Sequence, residues 1–486
     1  MPAIEPKTMR KGRILYPLFF LAILSLHFNC KKPSVTDKTD DSTTGANISW
    51  WLTRADQSVL LTQQTTAIAF TGTNRPAGNI IEVDSSKTYQ EIDGFGYTLT
   101  EGSAYLLNRL DASVRNTLLR ELFGKDESSI SVNYLRVGIG ATDLSTRVYS
   151  YNDLPAGETD INLNRFSLSQ DTADMIPVLK EILTINPSIK IMASPWSAPV
   201  WMKDNNSSIG GRLREQYYAV YAQYFVKYIQ QMKAAKIPID AITIQNEPLH
   251  GGNNPSMLMN AAEQANFIKQ HLGPAFRQNN ISTKIILYDH NCDRPDYPIA
   301  ILNDPAAKSF VDGSAFHLYA GDIAAMSTVK EAHPDKNLYF TEQWTGAKGE
   351  FGGDFIWHIK NIIIGSVRNW SKVALNWNLA NDGGYRPHTP GGCTECKGAI
   401  TLDGSIQRNV SYYVIAHASK FVPAGSLRIS SSQTGPLFSV AFLRKDGTKV
   451  LIVLNDSDRV QGFHIRSNGK YAKAELPAIS AATYTW

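Results

Sequence analysis

The sequence predicts a (β/α)8 barrel joined to a β-sandwich made of strands from both ends of the chain. Three observations lead there. Between residues 94 and 378, eight short apolar runs alternate with helix-like segments. Strand-like runs with few helices among them precede that region and recur after it. The eight runs end in polar or aromatic residues, which a packed core does not ask for and a barrel rim does. With 486 residues and 43% apolar content, the chain can bury a large core and is too long for one ordinary compact domain.

Taken in order, residues 1–30 read as a signal peptide. Lys7, Arg10, Lys11 and Arg13 lead directly into an apolar run over residues 14–28, shorter than the roughly 20 residues needed to span a bilayer. Cys30 closes that run, as the lipidated cysteine of a bacterial lipoprotein does. A lipid anchor there is the only membrane contact expected, on an exported chain at the cell surface or in the periplasm. Residues 31–47, rich in Ser, Thr and Asp, suit a solvated tether. Six Lys/Arg against one acid give residues 1–32 a charge of +5, so of the chain's +4 the remainder carries −1. No electrostatic case for nucleic acid survives.

Residues 48–90 supply the N-terminal strands of the sandwich, with Val59-Leu60-Leu61 and Ile80-Ile81-Glu82-Val83 among the runs read as strands. The barrel occupies residues 91–404. Its strands are expected at 94–100, 132–140, 189–197, 241–247, 284–291, 313–319, 338–342 and 373–378, and its longer helices at 104–123, 172–184, 215–236, 261–278 and 354–370. Tyr217, Tyr221, Tyr224, Phe225, Tyr228 and Met232 recur at helical spacing and read as a face packed on the barrel rather than a ligand site. Residues 405–486 hold the last barrel helix, at 410–421, and the C-terminal sandwich strands, with Lys445-Asp446-Gly447-Thr448 as a hairpin turn.

The chemistry sits at the strand ends. Pro248 stops the fourth strand one residue after Glu247, and the seventh ends on Glu342. Two carboxylates at one barrel mouth are the minimum equipment for cleaving a glycosidic bond, one as nucleophile and one as proton donor. Asn246 beside the acid suits a hydrogen bond to a sugar hydroxyl. Arg136 suits holding the nucleophile ionised, and His317 and Tyr319 suit hydrogen bonds to the carboxylates. Trp196, Trp344 and Trp377 offer flat faces to a pyranose ring. Gly94-Phe95-Gly96 lacks the further glycine of a phosphate loop, and no clustered metal-ligand spacing occurs, so neither a cofactor nor a metal is expected. In an exported chain Cys393-Thr-Glu-Cys396 reads as a small disulfide loop in preference to a zinc site or redox pair, and Cys292 as a free thiol.

Along these residues the chain resembles glycoside hydrolase family 30, the family of lysosomal glucosylceramidase and of β-1,6-glucanases. The resemblance runs through Asp93-Gly-Phe-Gly96, Leu135-Arg136-Val137, Ala193-Ser-Pro-Trp196, Asn246-Glu247-Pro248, His317-Leu-Tyr319, Thr341-Glu342, Trp377-Asn378-Leu379 and Ser419-Lys-Phe-Val-Pro423. It implies a barrel with an attached β-sandwich and a retaining mechanism needing no cofactor. Glu342 is then the nucleophile, Glu247 the acid/base, and Asn246, Trp196, Tyr319 and Trp377 line the glucose subsite. Where glucosylceramidase has an aspartate for the terminal sugar's hydroxyls, the resemblance places Glu101. The loop over residues 381–397 is more similar to the β-1,6-glucanase branch. The expected activity is retaining hydrolysis of β-linked glucosyl residues, most readily in β-1,6-glucan. The alternatives are glucosylceramidase activity and, from another class, a glycan-binding protein without catalysis.

Overall fold

A computed structural model of the chain describes residues 47–486. The expected signal peptide, Cys30 and the tether up to residue 46 lie outside the described residues.

Eight parallel strands close a barrel: β1 (Gly94–Leu99), β2 (Tyr134–Gly138), β3 (Lys190–Ser194), β4 (Ala241–Thr243), β5 (Lys284–Cys292), β6 (Val311–Gly321), β7 (Asn337–Glu342) and β8 (Ser371–Asn376). Each pairs with the next, and β8 returns to β1, with Val373 opposite Gly94. Their near-continuous apolar character follows from burial on both faces. Tyr134, Met192, Ala241, Ile286, Ala315, Tyr339 and Val373 form one cluster inside the barrel, while Phe95, Leu135, Ile191 and Ile242 belong to the larger core that includes the surrounding helices. Two residues beyond that inner layer, the same alternation brings in Arg136, Ser194, Thr243 and Thr341, all fully buried. A polar layer therefore lies over an apolar one, directly below the barrel mouth.

Several helices depart from the continuous ones expected. The segment 104–123 is two helices, Glu101–Asn108 and Ala112–Phe123, the first capped by the Thr100 side chain accepting from the Ser103 N–H. The segment 261–278 contains a π-helical turn, Ile268–Leu272, just before Pro274, which has no N–H to continue an α-helical ladder. A second π turn, Ile359–Gly365, interrupts 354–370. The aromatic stripe of Tyr218–Ala234 is buried, with Tyr228 stacked on Tyr151 at 5.6 Å.

The sandwich is a ten-stranded sheet. Asn47–Arg54 pairs antiparallel with Ser480–Thr485, so the first and last described strands are neighbours, and Trp50 stacks on Tyr484 at 5.7 Å. Asn79–Glu91 lies between Leu427–Ser431 and Gln461–Ser467. Ile48 and Trp50 near one end of the sheet share a core with Phe463, Ile465 and Leu476 at the other, so the sheet folds over on itself. His417, on the last barrel helix Val410–Ser419, ties the first and last described strands to the barrel. Its ring nitrogens meet Thr483 Oγ1 at 2.9 Å and Thr53 Oγ1 at 2.8 Å.

Two strand assignments change. Val59-Leu60-Leu61 is a bend, not a strand: Leu61 has φ +45°, and its N–H donates to the Thr53 hydroxyl. Lys470–Leu476 is an additional strand, paired with Gln461–Ser467 through a turn at Asn468-Gly469, both at positive φ. An Asn-Gly pair between alternating runs is the signal that would have found it.

Candidate active site

Arg136 organises the mouth. From β2 its guanidinium donates to Glu342 Oε2 at 2.5 Å, Asn246 Oδ1 at 2.6 Å, Asp289 Oδ2 at 2.8 Å and Ser194 Oγ at 3.2 Å. Its planar fork allows four partners on β3, β5, β7 and the loop after β4, and it lies 4.8 Å from the Trp196 ring. Glu342 also accepts from the Tyr319 hydroxyl at 3.0 Å. Glu247 faces it from the loop after β4, where His317 Nδ1 meets Glu247 Oε1 at 3.1 Å.

Glu247, His317 and Glu342 each offer an atom, and these atoms lie within 4.8 Å of one another. This is the three-residue ligand-type cluster among the described residues, but Arg136 already neutralises Glu342 there, and a divalent cation would have to share that space with a guanidinium. One oxygen of each carboxylate thus comes within 4.8 Å of the other, a close approach that suits two carboxyl groups acting on one bond.

Glu247 has φ +47° and precedes Pro248, a combination that costs of order 1–3 kcal/mol. Its N–H donates to the Asp289 carbonyl at 3.0 Å and the Asn246 N–H to the Pro195 carbonyl at 2.8 Å, which fix the turn against the neighbouring strands.

Asp289 has no role in the sequence analysis. Strict alternation from Ile286 would turn Tyr288 inward. Instead β5 shifts register against β6 here, Tyr288 and Asp289 adopt φ +73° and +65°, and Asp289 points into the barrel. It accepts from Arg136, from Thr341 Oγ1 at 2.6 Å and from Thr243 Oγ1 at 2.7 Å, and meets His317 Nε2 at 3.1 Å. Burial opposes its charge, but Arg136 and His317 outweigh it and hold the carboxyl far below its ordinary value. Burial likewise opposes the His317 cation, yet the Glu342 charge and the hydrogen bonds to Asp289 and Glu247 push it up to about 9. His317 is therefore an imidazolium at neutral pH, donating at both nitrogens. Although burial works against it, that donation draws Glu247 below the ordinary carboxylate range, whereas burial leaves Glu342 raised against the pull of His317 and Arg136. A proton shared by Glu247 and His317 is thus held in the hydrogen bond between them, and the two glutamates titrate as one system.

These groups open into a cleft of about 340 Å³. Trp196, Trp344, Trp377 and Tyr319 form its aromatic walls, with Trp196 and Trp377 stacked at 5.4 Å. Cys393 and Cys396 form a disulfide on one wall, and Cys292 is a buried free thiol. Of the residues expected at the site, Glu247, Glu342, Trp196, Tyr319 and Trp377 line this cleft, and Arg136, Asn246 and His317 lie just behind them. Glu101 is not brought to it. That residue opens the helix Glu101–Asn108, and its carboxylate accepts from the Thr146 N–H at 2.6 Å and hydroxyl at 3.0 Å. The aspartate on the wall is Asp143, in the loop after β2, whose carboxylate accepts from the Cys393 N–H at 3.3 Å. Burial and the Glu342 charge raise it to about 7. His290, pulled down to about 4 by burial, lines the same cleft as a neutral ring accepting from the Leu249 N–H.

Comparison with known proteins matches both the barrel and the sandwich. The model of the "Glycosyl hydrolase family 30 TIM-barrel domain" matches residues 92–422, and that of the "Glycosyl hydrolase family 30 beta sandwich domain" matches residues 425–484. An endo-1,6-beta-D-glucanase of Aspergillus fumigatus is 35% identical over 434 residues, covering 83% of this chain and 86% of its own. The lysosomal acid glucosylceramidase of Mus musculus is 28% identical over 439 residues, covering 84% of each. A solved endo-beta1,6-glucanase superposes with a TM-score of 0.84 at 32% identity, over 90% of this chain and 99% of its own.

Proposed function

The chain belongs to glycosyl hydrolase family 30, is a glycoside hydrolase acting on carbohydrate, and we propose that it is a retaining endo-β-1,6-glucanase. The observation that carries the mechanism is the approach of Glu247 and Glu342 to within 4.8 Å across the cleft. Glu342, oriented by Arg136 and Tyr319, attacks the anomeric carbon. Glu247 protonates the departing oxygen with the proton it shares with His317. In the second step Glu342 leaves, and Glu247 takes a proton from the incoming water, returning it to the same hydrogen bond. Asn246, turned by Arg136, faces the sugar. Asp143, half-protonated near neutral pH, can donate to or accept from a hydroxyl on the reacting ring, the role expected of Glu101. Trp196 and Trp377 close its apolar faces.

The β-1,6 linkage rests on the relatives named as endo-1,6-glucanases, at 34–35% identity. Export through residues 1–30, with lipid attachment at Cys30, completes the reading. The basic run before an apolar one and the Cys393–Cys396 disulfide both suit an oxidising compartment. The test is hydrolysis of β-1,6-glucan, β-1,3-glucan and glucosylceramide in parallel, with chain lengths of the products followed over time. Early release of mixed oligosaccharides from the 1,6-linked polymer is expected. Cleavage of the lipid alone would move the substrate to glucosylceramide, and binding without cleavage would make this a glycan-binding protein.

A further inference from the structure

A second hollow, of about 350 Å³, adjoins the cleft and has no part in the mechanism above. Trp344 lines both. The remaining partition is the disulfide-closed loop, with Cys393 and Cys396 on the cleft side and Glu395 on the other. Two short pairings keep this partition in place: Gly346 opposite Cys396, and the Ala347 N–H on the Glu395 carbonyl at 2.8 Å.

The lining is that of a sugar site. Trp357, on the helix Phe351–His358, is 38% exposed and is the exposed tryptophan among the described residues. Asp354, one helical turn earlier, has no side-chain hydrogen bond among the described residues. Its carboxylate lies so close to Gly349 that a Cβ there would meet Oδ2 at 2.2 Å. Lys348, paired with Glu395 at 2.6 Å, stands at the edge. An exposed indole beside a free carboxylate matches a pyranose, which offers a C–H face and several hydroxyl donors.

We propose that this hollow is a distal binding subsite for the glucan chain, with Trp357 as the platform for one glucosyl ring and Asp354 as acceptor for its hydroxyls. It rests on the polysaccharide reading of the cleft. Chains long enough to pass Trp344 gain this contact, whereas an aryl β-glucoside or a disaccharide does not.

The test compares the full chain with its Trp357→Ala and Asp354→Asn variants on an aryl β-glucoside, on β-1,6-linked oligosaccharides of increasing length and on the polymer. Stacking on one aromatic ring supports an expected loss of about fivefold in kcat/KM on the polymer and the longest oligosaccharides, with the aryl glucoside unchanged. Equal loss on all substrates, or none on any, would overturn the proposal. Binding of the same oligosaccharides to Glu342→Gln, with and without Trp357→Ala, separates this from the reading of the cleft. If β-1,6-glucan is not cleaved but long oligosaccharides bind about fivefold more weakly without the indole, the linkage assigned to the cleft fails and the subsite stands. If cleavage occurs and Trp357→Ala binds all lengths equally well, the subsite fails alone.

Discussion

Replacing Asp289 with asparagine keeps the shape of the buried network and removes the anion between its two cations. His317 faces Asp289 at 3.1 Å, Glu247 at 3.1 Å and Glu342 at 3.7 Å, with the rings of His290 and Tyr319 beside it. Its rise from 6.5 to about 9, at about 1.4 kcal/mol for each tenfold in proton affinity, is worth roughly 3 kcal/mol of folding stability. Because the folded value lies above the unfolded one, this contribution is fully present below about pH 6.5 and is lost as pH rises through 9. Asp289 has the opposite sense. Its depressed carboxyl contributes above about pH 4 and is lost in acid. In Asp289→Asn the amide oxygen can serve Arg136 or His317, and the amide N–H groups then face the other cation. Breaking a buried pair this way costs about 3–5 kcal/mol at pH 6. The loss of stability between pH 6.5 and 9 should also shrink below that roughly 3 kcal/mol, with the Glu342 charge and the Glu247 hydrogen bond sustaining what remains. Urea unfolding midpoints measured every half unit from pH 5.5 to 9.5 read both effects. A variant whose stability falls with pH as steeply as the parent's would refute the place given to Asp289 in charging His317.

Three other outcomes follow from the same geometry. Glu247→Gln should slow hydrolysis of the natural linkage by about 10²–10⁴-fold, while a dinitrophenyl β-glucoside, whose leaving group needs no proton, should give a burst followed by slow turnover in stopped-flow traces. Reducing the Cys393–Cys396 disulfide frees the loop that donates to Asp143. Since a hydrogen bond to a charged group is worth about 1.5–3 kcal/mol, kcat/KM should fall about tenfold, with little change in thermal midpoint. Removing the residues after Gly404 deletes Ser480–Thr485 and Leu427–Ser431, the partners of Asn47–Arg54 and Asn79–Glu91. The exposed edges should make the fragment insoluble, which sedimentation of the lysate would reveal.

What was legible in the sequence was whatever alternates or terminates locally. The eight barrel strands are apolar runs bounded by turns. Glu342 closes a run that begins at Asn337, whereas the fourth strand, expected to reach Glu247, ends at Thr243 and leaves Glu247 in the loop before Pro248. Asp289 was hidden by the register shift in β5, because nothing in Tyr288-Asp289 announces two successive residues at positive φ. Asp143 was hidden for another reason. It lies in a loop without periodicity and reaches the cleft through contacts made 246 and 250 residues away, by Thr389 and Cys393. Glu101 was placed at the site by the resemblance, but it occupies the first turn of a helix, where Thr146 satisfies its carboxylate. Sequence order shows which residues stand at strand ends; only the closed barrel shows which of them face one another.

The assignment of the two glutamates is tested most directly by azide rescue of Glu342→Gly on a dinitrophenyl β-glucoside, with the product's anomeric configuration read by NMR. Azide in the space left by the nucleophile attacks from the face opposite the leaving group, so restored turnover with an α-configured glucosyl azide is the predicted result. A β-configured azide, or turnover in Glu342→Gly equal to the parent's without azide, would contradict it.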